Sequence, residues 1–289
     1  MDHPVAVITG ATSGLGRVAA LELARRGYRI GAVVRSRKKA ESLRSEVEAV
    51  ASDIPFDVFH ADLGLISQAR RAGEEIAARL PRVDVLVNNA GLHAFSQRVT
   101  VEGLAEMTAV NYLGPFVLTQ ALTQLLAASA PARIVNVASE AARQARTIAP
   151  AEDLRRTDPY TRRESMALYG RTKLMTIMWT QELARRLDPR QVTVNCCDPG
   201  FNATGLGRDL PGSGVLRRLL NVLGVGDPRK GAGIIVRLAS DPAFALLSGG
   251  YFSVRDALPL ECPEPGRDAR VQKELWHETV ALLAEHGVG

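Results

Sequence analysis

Cysteine is scarce in this chain, with three among 289 residues, two of them adjacent at Cys196 and Cys197. An odd number placed this way is no disulfide framework, which points to a reducing compartment and a cytoplasmic protein. Long apolar runs are missing too: none reaches the roughly 18 residues that cross a bilayer, so no integral membrane segment is expected. The N-terminal Met-Asp-His-Pro lacks the charged and apolar regions of a secretory signal. Lysine is nearly absent, and most of the 36 basic residues are arginines spread along helical patterns. They are not gathered with aromatics into one face, so the net charge of +5 does not read as a nucleic-acid surface. The five histidines have no metal-ligand spacing, and no metal is expected. No linker, repeat or low-complexity tract divides the chain, which reads as one domain over residues 1–289.

What is present is an alternation of short apolar runs and helical patterns. Strands are expected at Val5–Thr9, Arg29–Arg35, Phe56–His60, Val83–Val87, Arg133–Val137, Val192–Cys196 and Tyr251–Val254. Helices are expected near Gly14–Arg26, Arg37–Ser52, Ser67–Leu80, Val101–Ala128, Ser165–Leu187, Arg229–Ser240 and Ala269–Glu285, with Gly27 at a C′ position. This order predicts an α/β fold: one doubly wound, Rossmann-type parallel sheet of about seven strands with helices on both faces. In such sheets ligands bind at the carboxyl ends of the strands.

The stretch Thr9-Gly-Ala-Thr-Ser-Gly-Leu-Gly16 stands at the first of those ends. Gly10 permits a sharp turn, and Gly14 and Gly16 permit close approach of a pyrophosphate. The following helix offers unpaired N–H groups and a positive dipole end to the anion, with Thr12, Ser13 and Leu15 in the same turn. After the second strand an NAD site usually has an acid, but here the chain reads Val-Val-Arg-Ser-Arg-Lys-Lys with no acid before Glu41. Arg35, seconded by Ser36, is the residue type that pairs with a 2′-phosphate, so NADP(H) is the expected cofactor. Tyr169 and Lys173 are four residues apart on one helix face. A nearby ammonium is expected to lower the phenol pKa and make Tyr169 a general acid/base.

These residues together resemble the short-chain dehydrogenase/reductase family, over nearly the whole chain. The carriers are Thr9-Gly10…Gly14-Leu-Gly16, Asn88-Asn89-Ala90-Gly91, Asn111 in Asn-Tyr-Leu-Gly-Pro-Phe, Ser139 after Ile-Val-Asn-Val-Ala, the Tyr169/Lys173 pair, and Asp198-Pro199-Gly200 followed by Thr204. Ala130–Val137, Ser248–Phe252, Leu275-Trp276 and the long gap between Ser139 and Tyr169 resemble the retinol dehydrogenase-like and protochlorophyllide reductase-like branch. Two departures stand out: Glu140 directly after Ser139, and Leu92-His93 after the Asn-Asn-Ala-Gly signature.

The resemblance implies Asn111, Ser139, Tyr169 and Lys173 as catalytic residues. Ser139 would polarise a carbonyl oxygen, Tyr169 would protonate it, Lys173 would hold the nicotinamide ribose, and Asn111 would fix a water behind Lys173. Asp62, Leu63, Asn89, Ala90, Gly91, Pro199, Gly200 and Thr204 join the glycine turn in cofactor binding. His93 and Phe201, with Ser139, would face substrate. A flap near residues 140–165 and a lid near 201–226 would cover it. The segment Leu216–Leu223 fits a lid face better than a membrane surface.

The expected activity is NADPH-dependent interconversion of a carbonyl and an alcohol on a small, largely apolar substrate. Bacterial secondary metabolism or removal of lipid carbonyls is a fitting setting. The alternatives are reduction of an enone C=C bond and a non-catalytic dinucleotide sensor. Leu174, Ile177, Met178 and Leu183 leave two options open, packing on a second copy in a homodimer or on the chain's own sheet.

Overall fold

A computed structural model describes residues 3–200 and 227–288. Phe201, Thr204, the lid near 201–226 and the Leu216–Leu223 segment lie outside the described residues. The glycine turn is followed at once by α1 (Gly14–Arg25), which ends in a Schellman motif. Gly27, at φ 87°, donates to Ala24 O, and Tyr28 donates to Leu23 O. The other principal helices are α2 (Arg37–Val50), α3 (Ile66–Arg79), α4 (Gly114–Ala128), α5 (Pro150–Arg155), α6 (Ser165–Arg186), α7 (Pro228–Ser240) and α8 (Ala269–Glu285).

The strands are β1 (Val5–Thr9), β2 (Arg29–Val34), β3 (Phe56–His60), β4 (Val85–Asn88), β5 (Ala132–Val137), β6 (Val192–Asp198), β7 (Tyr251–Ser253) and β8 (Pro259–Leu260). They form one sheet in the order β3-β2-β1-β4-β5-β6-β7-β8. Pairing is parallel as far as β7 and antiparallel between β7 and β8. The order reverses direction between β1 and β4, and the crevice at that switch is where a doubly wound sheet binds its ligand. β1 and β4 are buried on both faces, as a sheet covered on both sides requires. One apolar layer lies under α3, α4, α6 and α8, and the other under α1, α2 and α7.

Three expectations are corrected. The sheet has eight strands, and the last is a two-residue antiparallel edge starting at a proline, too short for an alternating pattern to reveal it. The helix expected from Val101 begins at Glu106, because Thr100–Gly103 closes a turn at Gly103 (φ 78°) and Val99 bridges to Ala105. β6 runs two residues further, through Asp198, which carries that carboxylate into the crevice end of the sheet.

Leu174, Ile177, Met178 and Leu183 are buried in the chain's own core against the sheet and α8. The seam between α4, α6 and α8 is aromatic. Phe116 meets Trp179 at 5.6 Å and Trp276 at 5.0 Å between centroids, and the Arg186 guanidinium sits 4.2 Å from the Trp276 ring. Buried Thr279 on α8 hydrogen-bonds Tyr112 at 2.8 Å. No helix among the described residues is long and apolar enough to cross a membrane, and none of their His, Cys, Asp and Glu cluster as metal ligands.

Candidate active site

The glycine turn is held from behind by β4. Thr9 Oγ1 accepts from the backbone N–H groups of Asn89 and Ala90, both at 2.9 Å. Asn89 Nδ2 donates back to Thr9 O at 2.9 Å and Gly10 O at 3.4 Å. Gly10 (φ 65°) and Gly14 (φ 54°) adopt left-handed backbone, and a Cβ on Gly16 would stand 2.5 Å from Gly10 O. Only glycine fits this cradle. Ser13 takes the N-cap position of α1, yet its side chain does not cap the helix, and no acidic residue follows in the first turn. The first N–H groups of α1 are therefore left without a side-chain cap at the positive end of the helix, where a pyrophosphate fits. Thr12 and Ser13 form the open crest of the turn, and Leu15 is buried beneath it.

Further along the same edge, Arg35 and Asp62 leave the ends of β2 and β3 and face each other at 3.8 Å, both exposed. Ser36 caps α2 by accepting from Lys39 N. Asp62 Oδ1 accepts from Gly64 N at 2.9 Å, while the Leu63 side chain turns into the core. A pair this long and this exposed is weak, so the arginine can swing over a phosphate beside the crevice.

The chemistry-bearing residues converge at the ends of β4, β5 and β6. Asn111 lies in a π-helical stretch, Ala109–Leu113, a local widening common at functional sites. Its amide is committed to the chain. Oδ1 accepts from Leu92 N at 2.8 Å, and Nδ2 donates to Leu92 O and Thr172 Oγ1 at 2.9 and 3.0 Å. Gly91 leaves a gap between Asn111 Oδ1 and Lys173 Nζ, since its missing Cβ would stand 3.4 and 3.5 Å from them.

Ser139 caps the short 3-10 helix Glu140–Gln144 by accepting from Ala141 N at 3.2 Å, with Tyr169 close by. Lys173 is 4 % exposed and donates from Nζ to Val137 O at 2.8 Å. Burial brings its pKa down to about 8. The expected lowering of the Tyr169 pKa by Lys173 does not occur among the chain's own groups. Lys173 Nζ lies 5.8 Å from the ring centroid, and burial, seconded by the Asp198 charge, pushes the phenol pKa up against the opposing influence of the nearby Ser139 hydroxyl. Tyr169 therefore carries its proton near neutral pH, as a proton donor must.

His93 lies against this pair, its ring 5.0 Å from that of Tyr169 and 4.6 Å from that of Phe95. Its Nε2 meets Ser165 Oγ at 3.2 Å, and Ser165 spends its only proton on Arg162 O at 2.7 Å. His93 must therefore donate from Nε2. Burial lowers its pKa, so its neutral form presents an acceptor at Nδ1. Pro199 is buried, and Gly200 turns at φ 70° where a Cβ would press on Val254.

Two further features emerge only in three dimensions. Gly170, beside Tyr169, lets α6 lie directly on the 3-10 helix, and a Cβ there would fall well inside 3.0 Å of Ala141 O. Asn88 of the Asn-Asn-Ala-Gly signature faces inward and donates to Thr119 and Asn136 at 3.0 and 2.9 Å. The expected flap near 140–165 comprises that 3-10 helix and α5. It is fastened to α6 by Asp153–Arg171 at 2.6 Å and to α8 by Arg155 with Glu278 and Glu285.

A family model for the short chain dehydrogenase matches residues 4–151. Human retinol dehydrogenase 14 is 35 % identical across 96 % of this chain and 85 % of its own. A Streptomyces sp. (strain C5) protein assigned as the daunorubicin C-13 ketoreductase DnrU is 36 % identical across 96 % of this chain and 92 % of its own. A solved structure from Beutenbergia cavernae, assigned as an NAD(P)-dependent gluconate 5-dehydrogenase with NADP bound at low occupancy, superposes with a TM-score of 0.68. It is 28 % identical, covering 87 % of this chain and 94 % of that one.

Proposed function

The chain belongs to the short-chain dehydrogenase family, in its retinol dehydrogenase-like branch, and on that premise we propose that it is an NADPH-dependent reductase of small, largely apolar aldehydes or ketones. The observation that carries this reading is a buried, protonated Tyr169, one helical turn from a buried Lys173 on the helix that lies directly on the Ser139-capped turn, at the strand ends beside the glycine cradle. The cradle and the α1 terminus would hold the pyrophosphate, with Arg35 and Ser36 on the 2′-phosphate. Asp62, Leu63 and the Asn89–Gly91 backbone would line the rest of the cofactor groove, together with Pro199, Gly200 and Thr204. Bound there, NADPH supplies the hydride to the carbonyl carbon.

The remaining work falls to the chain. Ser139 orients the carbonyl oxygen by donating to it. Tyr169 passes its proton to that oxygen as negative charge develops, and the O–H bond of the alcohol forms while that of the phenol breaks. Lys173 steadies the ribose and, through the gap beside Gly91, water can return the proton to Tyr169. His93 and Phe201 would border the substrate. The intact Ser139/Tyr169/Lys173 set argues against a non-catalytic sensor.

The test is NADPH consumption with nonanal, benzaldehyde, acetophenone and retinal, set against an enone series. Carbonyl reduction is expected, with a Tyr169→Phe enzyme slower by on the order of a hundredfold yet still binding NADPH. Wild-type turnover in that variant would refute the assignment, and selective loss of the enone C=C bond would redirect it.

A further inference from the structure

Asp198 ends β6 inside the crevice and is 7 % exposed. Its Oδ1 accepts from the backbone N–H of Glu140 at 3.1 Å, and the N–H of Gly200 also donates to it. Glu140 directly follows Ser139. Its own carboxylate is held apart from this link, accepting from Tyr251 at 3.0 Å and from Arg143 at 2.7 Å. A carboxylate in this position is costly to bury, and its two backbone donors offset that cost only in part, leaving its pKa raised.

We infer that Asp198 is a positioning residue for the reaction proposed above: by gripping the Glu140 N–H it fixes the turn that presents Ser139 to Tyr169. This rests on the reading of Tyr169 as proton donor. The same carboxylate lies near enough to Tyr169 for its charge to favour the protonated phenol, which biases the site toward reduction. Among the described residues, the other titratable groups around the phenol are Lys173 on its own helix and His93 on the loop after β4. Around Asp198 they are Glu140, Tyr251 and Cys197.

Three variants separate the grip from the charge. Asp198→Asn removes the charge and weakens the grip. Glu140→Pro deletes the donated N–H together with the Glu140 carboxylate, at a first helical position where proline fits and after a serine whose backbone (φ −171°, ψ 148°) is already extended. Glu140→Ala, which keeps the N–H and loses the carboxylate, controls for the lost side chain. The readouts are pH profiles of nonanal and benzaldehyde reduction, together with phenolate absorbance of the NADP+-loaded protein, where the Tyr169 signal is the one missing in Tyr169→Phe.

Asp198→Asn is expected to move the alkaline limb of reduction and the phenolate onset to lower pH. Glu140→Pro is expected to lower kcat on the order of tenfold, with KM and the limb unmoved. Glu140→Ala should leave the limb in place and kcat near the wild-type value. Asp198→Asn profiles superimposable on wild type, or a Glu140→Pro enzyme with wild-type kcat, would overturn the inference. If Tyr169→Phe also retains turnover, the fault lies instead with the assignment of Tyr169. Should Asp198→Asn fail to fold, Glu140→Pro alone decides the positioning role.

Discussion

Gly170→Ala adds one methyl group, and its effect follows from where that methyl would stand. The new Cβ would fall well inside 3.0 Å of the Ala141 carbonyl oxygen and 3.2 Å from Gln144 Cβ. The first neighbour is backbone, in the 3-10 helix that Ser139 caps, so it cannot rotate away as a side chain would. Restoring ordinary contact requires the two segments to separate by roughly 1 Å. Overpacking of this kind costs about 1–3 kcal/mol. Alanine returns about 1 kcal/mol through its better helix propensity. The net expectation is a loss of about 1 kcal/mol and a Tm lower by roughly 2–4 °C.

The larger effect is on turnover, because the separation lies between Ser139 and Tyr169. A misplacement of about 1 Å is worth roughly a hundredfold in rate. Thermal unfolding and steady-state kinetics with NADPH and nonanal measure both quantities, and the KM for NADPH should be unchanged because the glycine cradle is elsewhere. A Gly170→Ala enzyme that is more stable and as fast as wild type would refute the reasoning, since propensity would then have outweighed the clash.

Two other predictions concern charge. Arg35→Ala removes the arginine expected to meet the 2′-phosphate, and the ratio of kcat/KM for NADPH over NADH should fall about tenfold or more; an unchanged ratio would refute the role. Lys173 titrates at about 8 in the fold because of burial, against an ordinary value of 10.5. Between those values the unfolded chain binds the extra proton, so this contribution to stability is full at high pH and is lost as pH falls to about 8. Tm should therefore climb from about pH 8 toward about pH 10 in wild type and flatten in Lys173→Met, which should also lose turnover; parallel pH curves for the two proteins would contradict this.

How far the sequence alone reaches depends on distance along the chain. The glycine turn, the strands from β1 to β7 and the Tyr169/Lys173 pair are local patterns of spacing and alternation, and they fold where the pattern points. Gly170 looks like any weak helix residue until Ala141 is brought against it. The amide of Asn111 is tied to Leu92 and Thr172, contacts across the chain that only the fold creates. Glu140 stands out as a departure, but its meaning needs Asp198 and Tyr251 from two other strands. The direction of the Tyr169 pKa is misread for a related reason, because spacing shows a neighbouring ammonium but not how completely the phenol is buried.

The chain has two tryptophans, and both rest on Phe116 where α8 closes over α4 and α6. Its intrinsic fluorescence is consequently a signal from one seam. Emission will red-shift when the C-terminal helix peels off, whereas opening confined to the glycine turn leaves both rings in place. Detachment of that helix can thus be timed separately from loosening at the carboxyl ends of the strands, with no label introduced.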